Sequence, residues 1–187
     1  MRYEVRVGGY GGQGVITMGQ LLGMAASTRM RLVVAMTQSY GPEARGGSCR
    51  ADVIISDYPI DYPKITDLDC LIAMNKESFM LYVDDVKKGG SVIFDNSLYK
   101  LEDREAGVTH FAVPATRIAR ELGNPQVANV VMLGAIAKVT NTVSVDALGE
   151  VVRDRFPNAA EKNLRALGIG YKSVRKLKGV KRPPRYR

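Results

Sequence analysis

Val7-Gly-Gly-Tyr-Gly-Gly-Gln-Gly-Val-Ile-Thr17 decides how the rest of the chain is read. A short alternating run, Tyr3-Glu-Val-Arg-Val7, precedes it and a helical pattern follows, so Gly9, Gly11, Gly12 and Gly14 fall on a strand-to-helix turn. Without a Cβ, glycine takes positive φ and lets another backbone or a phosphate come close. The amides that open the following helix are unpaired donors with a partial positive charge, which suits an anion. Gly9, Gly11 and Gly14 also satisfy G-x-G-x-x-G, the dinucleotide fingerprint, with Gly12 and Gln13 inside it.

Beyond the turn, Val15, Met18, Leu22 and Ala25 keep helical spacing and predict a helix over 15–28, with Gly19 and Gly23 leaving a groove for close packing on a sheet. Leu32-Val-Val-Ala-Met36 reads as a strand buried on both faces, completing a βαβ unit. A nicotinamide site needs an acid about 20 residues beyond the glycines to hold the ribose hydroxyls. This strand ends in Met36-Thr-Gln-Ser39, with no acid before Glu43, so the fingerprint is incomplete. In its place stands Thr37-Gln-Ser-Tyr-Gly-Pro-Glu-Ala-Arg-Gly-Gly-Ser48, a shaped loop at the carboxyl edge where open α/β sheets bind ligands. Its polar side chains are Gln38, Tyr40, Glu43 and Arg45. Arg45 either grips a phosphate or carboxylate through its planar fork or pairs with Glu43.

The later segments repeat the α/β pattern. Residues 49–55 alternate as a strand with one more polar face, suited to antiparallel pairing. The segment 58–63 is a proline-bearing loop, and Asp57 and Asp61 beside it read as exposed turn acids rather than an acid/base pair. Cys70-Leu-Ile-Ala-Met74 is a buried strand; Asn75 caps a helix whose core face is Phe79, Val83 and Val86 and which Gly89-Gly90 ends. Ser91-Val-Ile-Phe-Asp95 returns as a parallel strand, Val108-Thr-His-Phe-Ala-Val113 as another, and Pro114 opens a short helix closing near Gly123. His110, the only histidine, reads as structural. Residues 127–139 form an apolar helix too short to span a bilayer, and Asn158 with Glu161 resembles a capping box for a last helix to about 167.

Composition narrows the function classes. The chain has 187 residues and 45% hydrophobic content, enough for one substantial core. With no long apolar run and no cleavable signal pattern, it reads as cytoplasmic. Cys49 and Cys70 form no C-x-x-C pair and read as reduced, partly buried thiols rather than metal ligands. The net charge of +8 resides in the end of the chain: residues 162–187 carry 10 Lys and Arg and no acid, while residues 1–161 carry 17 against 19. That tail either binds RNA or an acidic partner or frays in solvent. The expected architecture is a single Rossmann-like domain over 1–172, a three-layer α/β/α arrangement with a mostly parallel sheet, followed by a basic extension over 173–187.

The glycine turn, followed at this spacing by the Thr37–Gly47 motif, resembles the gamma subunit of 2-oxoacid:ferredoxin oxidoreductases, most closely the 2-oxoglutarate type. Ala51-Asp-Val-Ile-Ile-Ser56, Tyr58-Pro-Ile-Asp-Tyr-Pro63, Leu71-Ile-Ala-Met-Asn75 and Asn129-Val-Val-Met-Leu-Gly-Ala135 fit the same family. The resemblance spans roughly residues 3–167. It implies an oxidoreductase of anaerobic metabolism that converts a 2-oxoacid, coenzyme A and oxidised ferredoxin to an acyl-CoA, carbon dioxide and reduced ferredoxin. The family uses thiamine diphosphate and iron–sulfur clusters, which the resemblance places on alpha and beta catalytic subunits and a small cluster-bearing delta subunit. This chain is then a supporting subunit with no catalytic residue of its own, helping to form the coenzyme A site. Gly9, Gly11, Gly12, Gln13 and Gly14, with Tyr40, Glu43 and Arg45, are its candidate binding residues. An isolated chain has reason to self-associate as a homodimer through its partner-facing surface. A nicotinamide-dependent oxidoreductase and a basic-tailed nucleic-acid-binding module remain as alternatives.

Overall fold

The computed structural model describes residues 1–40, 47–101 and 107–178. Among the described residues, seven strands form one sheet in the order β2-β3-β1-β4-β5-β6-β7. They are β1 (Arg2–Tyr10), β2 (Val33–Tyr40), β3 (Ser48–Ser56), β4 (Leu68–Ala73), β5 (Val86–Asp95), β6 (Thr109–Val113) and β7 (Arg175–Lys176). β1, β4, β5 and β6 pair in parallel; β3 runs antiparallel between β1 and β2, and β7 antiparallel to β6. The helices are α1 (Val15–Met24), α2 (Lys76–Tyr82), α3 (Ala115–Glu121), α4 (Ala128–Thr140), α5 (Val145–Arg155) and α6 (Ala160–Lys172).

The alternation of strand side chains sorts the core into two layers. Val5, Val7, Ala51, Val53, Cys70, Ile72 and Ile93 pack with α1, α4, α5 and α6, whereas Leu71, Ala73, Val92, Phe94 and Ala112 pack with Phe79 of α2. The expected three layers are present, one of them thin. Cys49 and Cys70 are buried free thiols, and burial pushes Cys70 up to about 12. His110 lies buried in β6 with its ring 6.1 Å from that of Phe79, a structural position.

Several elements depart from the sequence reading. The Leu32–Met36 run is not buried on both faces: β2 is an edge strand paired only with β3, and Val33 is 40% exposed. β2 also extends to Tyr40, so the shaped loop is shorter than 37–48. The helix after Asn75 stops at Tyr82, and a tight turn at Val83–Asp85 leads straight into β5, which runs through Gly89 and Gly90. Val83 and Val86 are buried as expected, but from a turn and a strand. Gly89 takes φ +82° and donates its amide to Gly107 O at 2.7 Å, a bulge that leaves Leu68 opposite Val86 and Cys70 opposite Ser91. The Asn158–Glu161 capping box is absent; Asn158 sits in a tight turn over Pro157–Ala159, and α6 starts at Ala160 without a side-chain cap and continues to Lys172. α5 was not anticipated; Ser144 caps it through Ala147 N at 3.1 Å, and Ala147, Leu148, Val151 and Val152 form its buried face. Part of the basic extension joins the sheet as β7, while 179–187 lie outside the described residues.

Two backbone approaches fix the helix layer. A Cβ on Gly134 of α4 would stand 2.1 Å from Leu167 O, and one on Gly170 of α6 would stand 1.9 Å from Val131 O. Any side chain there forces the helices apart, because the obstacle is backbone. Gly170→Ala is expected to cost about 3 kcal/mol and lower Tm by roughly 6 °C or more. Gly168→Ala, on the same helix with nothing within 4 Å, is expected to be neutral or stabilising by up to about 1 kcal/mol. Calorimetry of both variants checks the contrast; equal effects would refute it.

At the amino end of β1, Glu4 is buried. Burial disfavours its charge, but the N–H groups of Asp67 and Thr66, at 2.8 and 2.7 Å, and Arg2 Nε at 2.7 Å hold the carboxyl below its ordinary range. A depressed folded-state pKa gives stability that is present above the unfolded value and lost as pH falls through the folded one. Glu4→Gln is therefore expected to destabilise by about 1–3 kcal/mol above roughly pH 5, with the deficit shrinking at lower pH. Urea unfolding across pH 3–7 measures it.

Candidate functional site

β1 and β4 lie side by side and in parallel, but α1 leaves β1 on one face of the sheet and α2 leaves β4 on the other. Their carboxyl ends therefore open a crevice, the switch point where α/β sheets take ligands. The glycine turn after β1 and Asn75 after β4 face each other across it.

The turn is held by its own atoms. Gln13 N donates to Tyr10 O at 3.2 Å, and Gln13 Oε1 accepts from Tyr10 N at 2.7 Å. Asn75 Nδ2 reaches the same oxygen at 3.4 Å, while Asn75 Oδ1 caps α2 by accepting from Ser78 N at 2.8 Å. Gln13 thus spends its carbonyl on shaping the loop. Gly9 lies beneath it, since a Cβ there would meet Gln13 Oε1 and Val15 Cγ2, each at 2.7 Å. Gly12 takes φ +92° with nothing within 4 Å of a would-be Cβ, so its face is open. Gly14 is the N-cap of α1 at φ +73°; it has no side chain to satisfy the first amides, and no acid stands in the first turn. Those amides and the positive end of α1 are left for an anion.

The two sequence motifs meet here. Gly11 N donates to Gly47 O at 3.0 Å, and Tyr10 pairs with Ser48 in the ladder. Tyr40 ends β2 at the same edge of the sheet, 64% exposed. Glu43 and Arg45 lie outside the described residues. At the mouth, the Tyr10 hydroxyl bonds Glu77, which raises the phenol and lowers the carboxyl relative to their ordinary values. Sequence reasoning used Asn75 only as a helix cap and gave Asn129 no role at the site. Asn129 packs directly on Gly14, and its one signal was polarity inside an otherwise apolar helix.

A cleft of about 830 Å³ is lined by Leu122, Asn124, Pro157 and Arg165, and one of about 370 Å³ lies between α5 and α6; neither includes a residue of the turn. Among the described residues no three His, Cys, Asp or Glu side chains are grouped to hold a metal, and no helix is long and apolar enough to cross a membrane. β2 carries no acid, so the described residues of its carboxyl end offer no ribose-binding carboxylate.

Over residues 4–173 the chain matches the pyruvate ferredoxin/flavodoxin oxidoreductase family. It is 48% identical over 177 residues to the 2-oxoglutarate synthase subunit KorC of Methanothermobacter thermautotrophicus, covering 91% of this chain and 94% of that one. Among solved structures, the gamma subunit of a keto/oxoacid ferredoxin oxidoreductase from Geobacter sulfurreducens is 37% identical with a TM-score of 0.82, over 92% of this chain and 96% of that one. A 2-oxoglutarate:ferredoxin oxidoreductase from Magnetococcus marinus, with 2-oxoglutarate, coenzyme A and succinyl-CoA bound, is 28% identical with a TM-score of 0.83; the match covers 91% of this chain and 30% of that longer one. The family resemblance carried by the two glycine motifs is borne out over nearly the whole chain, which belongs to the pyruvate ferredoxin/flavodoxin oxidoreductase family as a gamma-type subunit of a 2-oxoacid:ferredoxin oxidoreductase.

Proposed function

We propose that this chain is the gamma subunit of a cytoplasmic 2-oxoglutarate:ferredoxin oxidoreductase and that its glycine turn receives the diphosphate of coenzyme A. Alpha and beta subunits supply thiamine diphosphate chemistry, clusters there or on a delta subunit carry electrons to ferredoxin, and coenzyme A accepts the acyl group. The single observation that carries the coenzyme A assignment is the uncapped start of α1 at Gly14, beside the open face of Gly12, at the sheet's switch point. A diphosphate fits that chemistry: two adjacent anionic groups meet backbone N–H donors and a helix's positive end. Tyr40, Glu43 and Arg45 complete the site from the second motif, with Arg45 adding charge. The 2-oxoglutarate preference rests on the wording of that motif and on the KorC relative. Met80 and Leu81, exposed on α2 next to the crevice, suit burial against the catalytic subunits. The domain reading is 1–172 with a basic extension over 173–187, the first part of which, at Arg175–Lys176, pairs onto β6.

The test is the reconstituted complex, assayed for coenzyme A-dependent reduction of a viologen dye with a panel of 2-oxoacids. 2-Oxoglutarate is expected to give the highest kcat/KM. Gly12→Ala places a methyl in open space at a backbone cost of about 1–2 kcal/mol and is expected to raise the KM for coenzyme A about tenfold, leaving the KM for the 2-oxoacid unchanged. An unchanged coenzyme A KM in that variant would remove the turn from the site.

A further inference from the structure

We infer that the side-chain amide of Asn129 is a further ligand donor of this site, giving an Nδ2–H to a diphosphate oxygen; the inference rests on the coenzyme A reading above. Asn129 is the second residue of α4, in an otherwise apolar run, and is only 7% exposed. Its Oδ1 accepts from Val130 N at 2.8 Å. That bond fixes which way the amide faces, because the flipped arrangement would set two donors against each other. Nδ2 therefore points away from α4, and it points at the glycine turn. A Cβ on Gly14 would stand 2.3 Å from it, so the amide lies against the backbone of the residue that caps α1. No described residue accepts a hydrogen bond from Nδ2.

With its oxygen engaged by Val130 N and no acceptor among the described residues, the Nδ2–H facing the turn is available to a ligand oxygen. Here it stands beside the open amides of α1 and at the positive end of α4, whose first turn also lacks an acid. The only kind of acceptor this set favours is anionic oxygen. Gly14 is glycine for two reasons at once, its left-handed backbone and the amide packed over it.

The test measures equilibrium binding to the complex reconstituted with wild-type chain, Asn129→Asp, Asn129→Ala or Gly12→Ala. The probes are coenzyme A and pantetheine, which lacks the diphosphate. Asn129→Asp keeps the acceptor for Val130 N and the shape while replacing the donor with a negative charge. It is expected to weaken coenzyme A about tenfold or more, and Asn129→Ala about threefold to tenfold, with pantetheine binding unchanged in both. A purely structural asparagine would leave coenzyme A untouched in Asn129→Asp, or weaken both probes equally, and either result overturns the inference. If Gly12→Ala weakens coenzyme A and the Asn129 variants do not, the inference falls while the coenzyme A reading stands. If all three variants bind like wild type, both fall.

Discussion

A buried ion pair in the middle of the sheet sets the position of everything else. Arg6 of β1 and Asp52 of β3 are direct ladder partners, joined by two hydrogen bonds at 2.8 and 3.1 Å, and both are buried. Such a pair contributes little net stability, since desolvation offsets its Coulombic gain. Breaking it is costly, and so it specifies register. A slip of one residue would bring the charges to the apolar face that packs on α1 and α4, and Val5 and Val7 to the other. The guanidinium also lies 4.9 Å from the Tyr82 ring and pairs with Asp85, which ties the end of α2 to the same strand.

With its middle pinned and Glu4 anchored at its amino end, β1 delivers its carboxyl end to a fixed place. That end is nearly bare, and the bareness does two jobs. A Cβ on Gly8 would meet Ser78 Cβ at 2.9 Å and one on Gly9 would meet Val15 Cγ2 at 2.7 Å, so α2 and α1 approach the strand from its opposite faces. The crevice between β1 and β4 is thus a consequence of where the helices leave, and the turn lies across its mouth. Gln13 then closes the turn with its own side chain, which frees the amides of α1 from that task.

Those features were legible because each rests on local chemistry: glycine at a strand end, an asparagine before a helix, apolar runs of strand length. Asn75 was readable as a cap, and the antiparallel β3 from its alternation. The errors came where tertiary placement overrides local pattern. Val33 to Met36 looks like an interior strand, yet β2 sits at the edge because the antiparallel β3 takes the place beside β1. Gly89-Gly90 looks like a helix stop and is a strand bulge. Asn158 has the spacing of a cap, but Pro157 draws it into a preceding turn. The helix from Val145 had a usable signal in Ser144 and its 3.6-residue period, whereas Asn129 had none beyond being polar among apolar neighbours. Its meaning depends on Gly14, more than 100 residues away in sequence, being brought against it.

What brings them together is the contact between α4 and α6. Gly134 and Gly170 let these helices touch backbone to backbone, a spacing that side chains would forbid. α4 is buried along nearly its whole length, against the sheet on one side and α6 on the other. A helix so enclosed has little freedom to slide or tilt, and its first turn inherits that rigidity. Asn129 is on that first turn, so the amide over Gly14 is held by packing at the far side of the helix layer rather than by the glycine turn itself. The turn, closed by Gln13, supplies open backbone amides, and α4 supplies a side-chain donor beside them. A site assembled from donors on two separately held elements is suited to hold an anion in a single orientation, because only ligands that satisfy both at once gain the full set of hydrogen bonds.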